Sequence, residues 1–402
     1  MADDDDRNEE VASSDTVTEV TSKSWLQRLG ESVGGVVVGF ILIAGSGFLL
    51  FWNEGRAIQT ARSLTEGAGL VLSVSADRVD AANDGKLVHV SGALAASGPA
   101  VDGDFTVRSS GIRLVRHVEM YQWKEETQSE TRKKLGGGEE TVTTYKYTRD
   151  WVDRPIDSGK FKERAGHANP AMAYQQRTVV APQPKVGAFS VPESLLRNFG
   201  EERPLAATDE QAKALERRLN RPVAAVDGAL YVGRDPSQPA IGDLRIKFGE
   251  VSMGPASVIG RQAASSFEPY QTKAGGTVQL IAAGRVPAAD MFKAAQDENR
   301  LITWLIRGGG VLLMFIGFGL ILKPLSVLAD VIPILGDIVG AGASIIALLC
   351  TAVVAPVVIA IGWLWYRPVV AIGVLVVGGA VAYGAVRLGR QRAARKAALK
   401  PA

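Results

Sequence analysis

The sequence is poor in the residues that hold metals or act as nucleophiles. Of its 402 residues one is cysteine, Cys350, and three are histidine. A lone thiol excludes an intramolecular disulfide and a cysteine-built zinc site. His89, His117 and His167 are scattered and form no HExxH pair. No P-loop, no GxSxG elbow and no GxGxxG after a strand occurs. The motifs therefore give no reason to expect an enzyme, a catalytic residue, a metal site or a cofactor. Charge of one sign is also missing overall, because 45 basic residues face 42 acidic ones. Such a balance gives no field for nucleic acid, and none is expected as a partner. Between residues 53 and 303 there is no long apolar run. That section must hold itself together by packing, and around 250 residues are enough to bury a sizeable core.

The apolar residues sit at the two ends. A helix rises 1.5 Å per residue, so about 20 apolar residues cross a bilayer core of about 30 Å. Segments 33–52, 304–322, 338–365 and 369–386 meet that length. The first ends in Phe51 and Trp52, where an interfacial aromatic belongs. Its acidic leader and the lack of a small-residue cleavage site argue for a retained anchor over a signal peptide. Arg307 lies near the outer end of the second, where it can snorkel. Pro356 should kink the third. The expected fold class is a multi-pass α-helical membrane protein of about four transmembrane helices, with a large β-rich α+β extramembrane domain inserted between spans 1 and 2.

The domain reading follows from these runs. Residues 1–24 read as a disordered acidic tail and 25–52 as a juxtamembrane segment with the first span. The outer domain is 53–303, the connection between the second and third spans is 323–337, and 387–402 is a basic tail. Arg387, Arg390, Arg392, Arg395, Lys396 and Lys400 place the C-terminus in the cytosol by the positive-inside rule. An even number of spans returns the N-terminus to the same side and puts the outer domain on the other. Arg56 and Arg62 pull mildly against that orientation.

Gly35 and Gly39 have the small-xxx-small spacing of closely packed membrane helices, and Gly45 and Gly317 extend the pattern. Packing within one chain and self-association into a homo-oligomer both fit. The connection KPLSVLADVIPILGD holds Pro324, Asp330, Pro333 and Asp337. It is too short to span, so it should lie at the interface or re-enter. Asp330 is a functional candidate by its depth, and water-facing carboxylates at helix ends are the plain alternative.

In the outer section, alternating Val, Thr, Tyr and Phe predict strands at 86–92, 105–107, 111–123, 141–152, 229–232, 242–251 and 277–283. Segments 119–125 and 143–151 flank KLGGGEE, a flexible hairpin tip. Tyr121, Trp123, Tyr145, Tyr147 and Trp151 keep a period of two and should share one face, either as cross-strand packing or as a ligand platform. Thr208 caps a helix over DEQAKALERRLN, and 288–300 forms another that leads straight into the second span.

The blocks FWNEGRAIQTARSLTEGAG, MYQWKEE, TTYKYTRDWVD, GDLRIKF, SVIGRQAASSFEPY, MFKAAQDENRLITWLIR, PLSVLADVIPILGDIVG and AIGWLWYRP follow one another from 51 to 368. In this order they closely resemble the LUMA family, also called the transmembrane protein 43 family. The resemblance implies four spans, both termini in the cytosol and a luminal domain, and it carries no catalytic residues. In animals the family implies the endoplasmic reticulum and inner nuclear membrane, self-association, and lamin and emerin partners that do not transfer. The Ala- and Gly-rich composition points to a bacterial member, with an inner-membrane location and a periplasmic domain. Within the blocks, Asn53, Glu54 and Arg56 stand where the chain leaves the membrane, able to pair with one another or with lipid headgroups. Arg367 and Pro368 make the short link to the fourth span.

These features favour a self-associating, non-enzymatic membrane organiser that contacts the lipid bilayer and other membrane proteins through a partner-binding or envelope-sensing domain. The alternatives are a channel or channel regulator and a lipid-active or hydrolytic enzyme.

Overall fold

A computed structural model of the chain describes residues 15–368. The fourth expected span and the basic tail lie outside the described residues.

Three helices carry the apolar sequence, and each is longer than hydropathy alone implies. Helix α1 runs Trp25–Leu70, 46 residues, and is capped by the Ser24 hydroxyl, which accepts from the Gln27 amide. At 1.5 Å per residue it is about 69 Å long, more than twice a bilayer core. The helix thus continues 18 residues past the apolar run that ends at Trp52. Helical propensity in AIQTARSLTEGA carries the helix past the end of the continuous apolar run.

A short helix, α2 (Asp209–Leu219), has a capping box between Thr208 and Gln211 and lies in the β-rich domain. Helix α3 (Ala288–Ala329) fuses the expected 288–300 helix with the second span and continues through Pro324. Helix α4 runs Pro333–Tyr366. The expected interfacial or re-entrant segment 323–337 is therefore only a tight turn at 330–332, because Pro324 is absorbed within α3. Pro333 sits at the first turn of α4, where its missing N–H costs no hydrogen bond. All three long helices are apolar and long enough to cross a membrane.

Helices α1 and α3 are antiparallel and close. A Cβ on Gly39 would stand 2.7 Å from the Gly317 carbonyl oxygen, and one on Gly317 would stand 2.9 Å from that of Gly39. Higher up, Leu50 fills the space over Gly310 and packs with Met314 and Ala355, tying in α4. Gly35 touches Leu320, while Gly45 has no packing neighbour within 4 Å among the described residues. Beyond the apolar stretch, Leu64 of α1 and Met291 and Phe292 of α3 join a cluster with Leu87, Ile259 and Val278 of the domain. The bundle and the domain are thus one continuous body.

Among the described residues the domain holds two large sheets and two small two-stranded ones. In the first, strands β1 (Thr16–Lys23), β3 (Arg113–Lys133), β4 (Glu139–Val152), β5 (Val223–Val226), β6 (Ala229–Val232) and β7 (Leu244–Val251) follow the order β1-β4-β3-β7-β6-β5. The second is built on the antiparallel pair of β2 (Leu87–Ala95) and β8 (Pro255–Ala263). On the other side of β8 lies β9 (Leu280–Ala283). Phe105, Leu114, Val118, Ile246, Val90, Val258 and Phe267 are among the residues that fill the core between them.

Two results differ from expectation. Thr16–Lys23, read as the end of a disordered tail, is strand β1, registered along 139–146 of β4. Its Thr and Val residues suit a strand, and Glu19 is held by Lys162 Nζ at 2.7 Å. The hairpin β3–β4 also extends well beyond the expected 119–125, pairing without a break down to Lys133 and Glu139. With β1 it forms a three-stranded ribbon that leaves the domain and reaches the opposite end of the helices.

His89 in β2 joins three segments. Its Nδ1 lies 3.3 Å from the Ser73 hydroxyl and its Nε2 lies 3.0 Å from the Val286 carbonyl at the entry to α3. Burial holds this imidazole below its ordinary range, against the opposing pull of the Val286 carbonyl. A depressed histidine contributes stability above the unfolded value of about 6.5 and loses it as pH falls through the folded value. Acid unfolding of the wild type should therefore carry a slope below pH ~6.5 that His89→Gln flattens. Equal slopes in the two melts would refute the assignment.

Candidate functional site

Where the apolar run of α1 ends, WNEGR turns one polar residue after another into the bundle. Trp52 is 47% exposed, whereas Asn53 and Glu54 are 0% and 2% exposed. Glu54 accepts from Arg307 through both oxygens, from Nε at 2.7 Å and Nη2 at 2.8 Å, and from the Trp363 indole at 2.9 Å. Paired fork geometry of this kind is the strong form of a carboxylate–guanidinium contact. Asn53 donates to the Thr303 carbonyl at 3.1 Å. Arg56 donates to Asn299 at 3.0 Å, to Asn53 at 3.2 Å and to the Thr303 hydroxyl at 3.1 Å. Asn299 closes the layer by donating to the Ala57 carbonyl at 2.9 Å.

This layer can form because the helices approach closely there. A Cβ on Gly55 would strike the Tyr366 ring, and one on Gly362 would stand 3.1 Å from the Glu54 side chain. Asn53, Glu54 and Arg56 are thus brought together with Arg307, Asn299, Thr303 and Trp363. Hydropathy read Arg307 as a snorkelling end-cap. Its pairing with Glu54 joins residues 253 apart in sequence and leaves no local signal. Arg367 and Pro368 lie at the same end, and the Arg367 amide donates to the Trp363 carbonyl at 2.7 Å.

A second charged cluster occupies the opposite end of the bundle. Asp330, 1% exposed, takes Arg28 Nη2 at 2.6 Å and Lys133 Nζ at 2.7 Å. Arg28 also donates to the Gly137 carbonyl at 2.6 Å and pairs with Glu139 at 2.9 Å. Lys133 bridges on to Asp337 at 2.7 Å. The Gly136 amide donates to the Val331 carbonyl at 3.2 Å. A Cβ on Gly336 would overlap the Asp330 carboxylate, which requires the glycine. The tip expected to be a flexible loop is therefore docked against the start of α1 and the α3–α4 turn. Pro324 and Pro333 flank that turn.

The remaining singled-out aromatics lie where the ribbon meets the domain. The β3–β4 register places Tyr121 opposite Trp151, Trp123 opposite Arg149 and Glu125 opposite Tyr147, so the aromatics share one face. Trp151 packs on Tyr121 and Tyr231, and the Trp123 ring meets His167 edge-on at 4.7 Å. His167 stacks on Tyr147 at 4.0 Å, so 161–167 covers much of this face. Among the described residues no three His, Cys, Asp or Glu side chains converge as a metal-holding group.

Comparison with known proteins agrees with the block pattern. A family model described as Transmembrane protein 43 matches residues 120–368. The chain is 34% identical over 364 residues to Transmembrane protein 43 of Rattus norvegicus, covering 88% of this chain and 89% of that protein. The Homo sapiens protein of that name is 33% identical over 360 residues, covering 87% and 88%. The Drosophila melanogaster homolog is 28% identical over 340 residues, covering 83% and 89%. No solved structure matches the chain at a significant level.

Proposed function

The chain belongs to the transmembrane protein 43 family, and on that premise we propose that it is a non-enzymatic membrane organiser that self-associates and displays its β-rich domain to partners outside the bilayer. Contact of its apolar helices with a lipid bilayer makes it an integral membrane protein. The domain is assigned to the extracytoplasmic side, the periplasm in a bacterium, with the start of α1 at the cytosolic end of the bundle.

The observation that carries self-association is the depth of the ribbon. From Trp25 to Trp52, α1 rises about 40 Å. From the tip at Gly137 back to Trp151 the ribbon covers about 46 Å. Its tip is docked at the same end as Trp25, so most of the ribbon runs at the depth of the spans. Lys124, Glu125, Glu126, Glu130, Arg132 and Lys146 lie on it. Hydrocarbon does not tolerate that surface or its open strand edges. Copies arranged with helices outward and ribbons inward would keep lipid on the apolar faces and water or protein on the ribbon. Crosslinking in native membranes tests this, and a protein that stays monomeric and captures no neighbour removes the reading.

The same polar lining favours a second reading, a channel or channel regulator. Ion flux through reconstituted liposomes separates the two, since an organiser alone leaks no more than empty liposomes.

A further inference from the structure

Beside the Glu54 layer is a cavity of about 260 Å³ lined by Glu54, Arg300, Trp304, Arg307, Trp363 and Arg367, with apolar side chains of α1 and the polar Asn299 and Thr303 completing its wall. Its depth is set by the structure itself. The apolar stretch of α1 stops at Trp52, that of α3 begins at Trp304, and that of α4 ends at Trp365. Glu54 bonds both Arg307 and Trp363, which brings these three boundaries to one level. Tryptophan marks the headgroup zone of a bilayer, so the cavity opens where lipid phosphates lie.

Its charge is unbalanced. Three guanidinium groups line it against one carboxylate, and that carboxylate is engaged by Nε and Nη2 of Arg307 and by the Trp363 indole. Among the described residues the Nη1 of Arg307 has no acceptor. Arg300 has one exposed partner, Asp297, which water screens. Arg367 is exposed at the mouth. The Trp304 ring, 4.8 Å from the Arg307 guanidinium carbon, gives the cavity an apolar wall beside its donors. Planar guanidinium forks matched to oxyanions, next to aromatic surface at headgroup depth, fit a phosphate attached to an apolar body.

We propose that this cavity binds the phosphate of an anionic glycerophospholipid, held by Arg300, Arg367 and the free edge of Arg307, with Trp304 and Trp363 against the lipid's glycerol and upper acyl region. The site is independent of self-association, so a monomeric protein would still bind.

The experiment is a lipid titration of the full chain in mixed micelles, read as the thermal midpoint. Phosphatidylglycerol should raise the midpoint saturably, and phosphatidylcholine should not. The variant Arg300→Gln/Arg367→Gln should need at least about tenfold more phosphatidylglycerol for the same shift. Arg300→Lys/Arg367→Lys, which keeps the charge, should retain part of the response. Lys213→Gln/Arg217→Gln on α2 removes the same charge elsewhere and should respond like wild type. An unchanged response in the Gln variant, an equal loss in the α2 control, or an equal effect of phosphatidylcholine would overturn the site. Saturation of the same response by inorganic phosphate at matching concentration would overturn the lipid as its source.

Discussion

Replacing Glu54 with alanine should lower the unfolding free energy by about 3 to 5 kcal/mol, because it strands a largely buried Arg307 that has no other carboxylate partner among the described residues. The carboxylate is 2% exposed and takes three donors, so its loss also leaves the Trp363 indole unpaired. Glu54→Gln keeps an acceptor and should cost less. The paired change Glu54→Leu/Arg307→Met should recover most of the loss, since two apolar side chains need neither hydration nor each other's charge. Equilibrium unfolding in mixed micelles, followed by circular dichroism, measures all three. If the single and paired variants unfolded alike, the two residues would not be acting as one unit.

The second large effect concerns the docked tip. Asp330→Ala removes the acceptor shared by Arg28 and Lys133 and should cost about 3 kcal/mol or more, with the loss concentrated at the ribbon tip. Hydrogen exchange should report it as lost protection of the Gly136 amide, which donates across to Val331. Exchange elsewhere in the domain should stay near wild type, because the core between the sheets is untouched. Docking also has a consequence for sidedness. Leu135 on the tip and Ile334 in the first turn of α4 are 87% and 72% exposed. In a Cys350→Ser background, single cysteines at both positions should react with an impermeant maleimide from the same face of sealed vesicles. Labelling from opposite faces would mean that the tip is undocked in the membrane.

The sequence and the structure part company at identifiable residues. The helices were legible in their centres, where 33–52, 304–322 and 338–365 are almost wholly apolar, and their ends were not. Past Trp52 and before Trp304, α1 and α3 continue on helical propensity and on packing against Leu87, Ile259 and Val278. Strands with one buried face, such as Ala229–Val232 and Leu244–Val251, announced themselves by alternation. The lower ribbon did not, because KEETQSETRKK is polar on both faces and only its partner strand defines it. Asp330 stood out as an acid at membrane depth and Glu54 as a charge where the chain leaves the membrane, yet their partners Arg307, Arg28 and Lys133 lie far away in the chain.

By itself, the sequence determined that this is a membrane protein with a polar central section, and its ordered blocks determined the family. These are matters of composition and local order, since transfer of each side chain between water and hydrocarbon depends only on that side chain. Tertiary structure alone decided that α1 and α3 are single shafts joining bundle to domain, that WNEGR closes a polar layer, and that the glycine tip docks at the far end. Pairing a charge or seating a glycine depends on which distant residue arrives beside it, and neither residue carries that information alone.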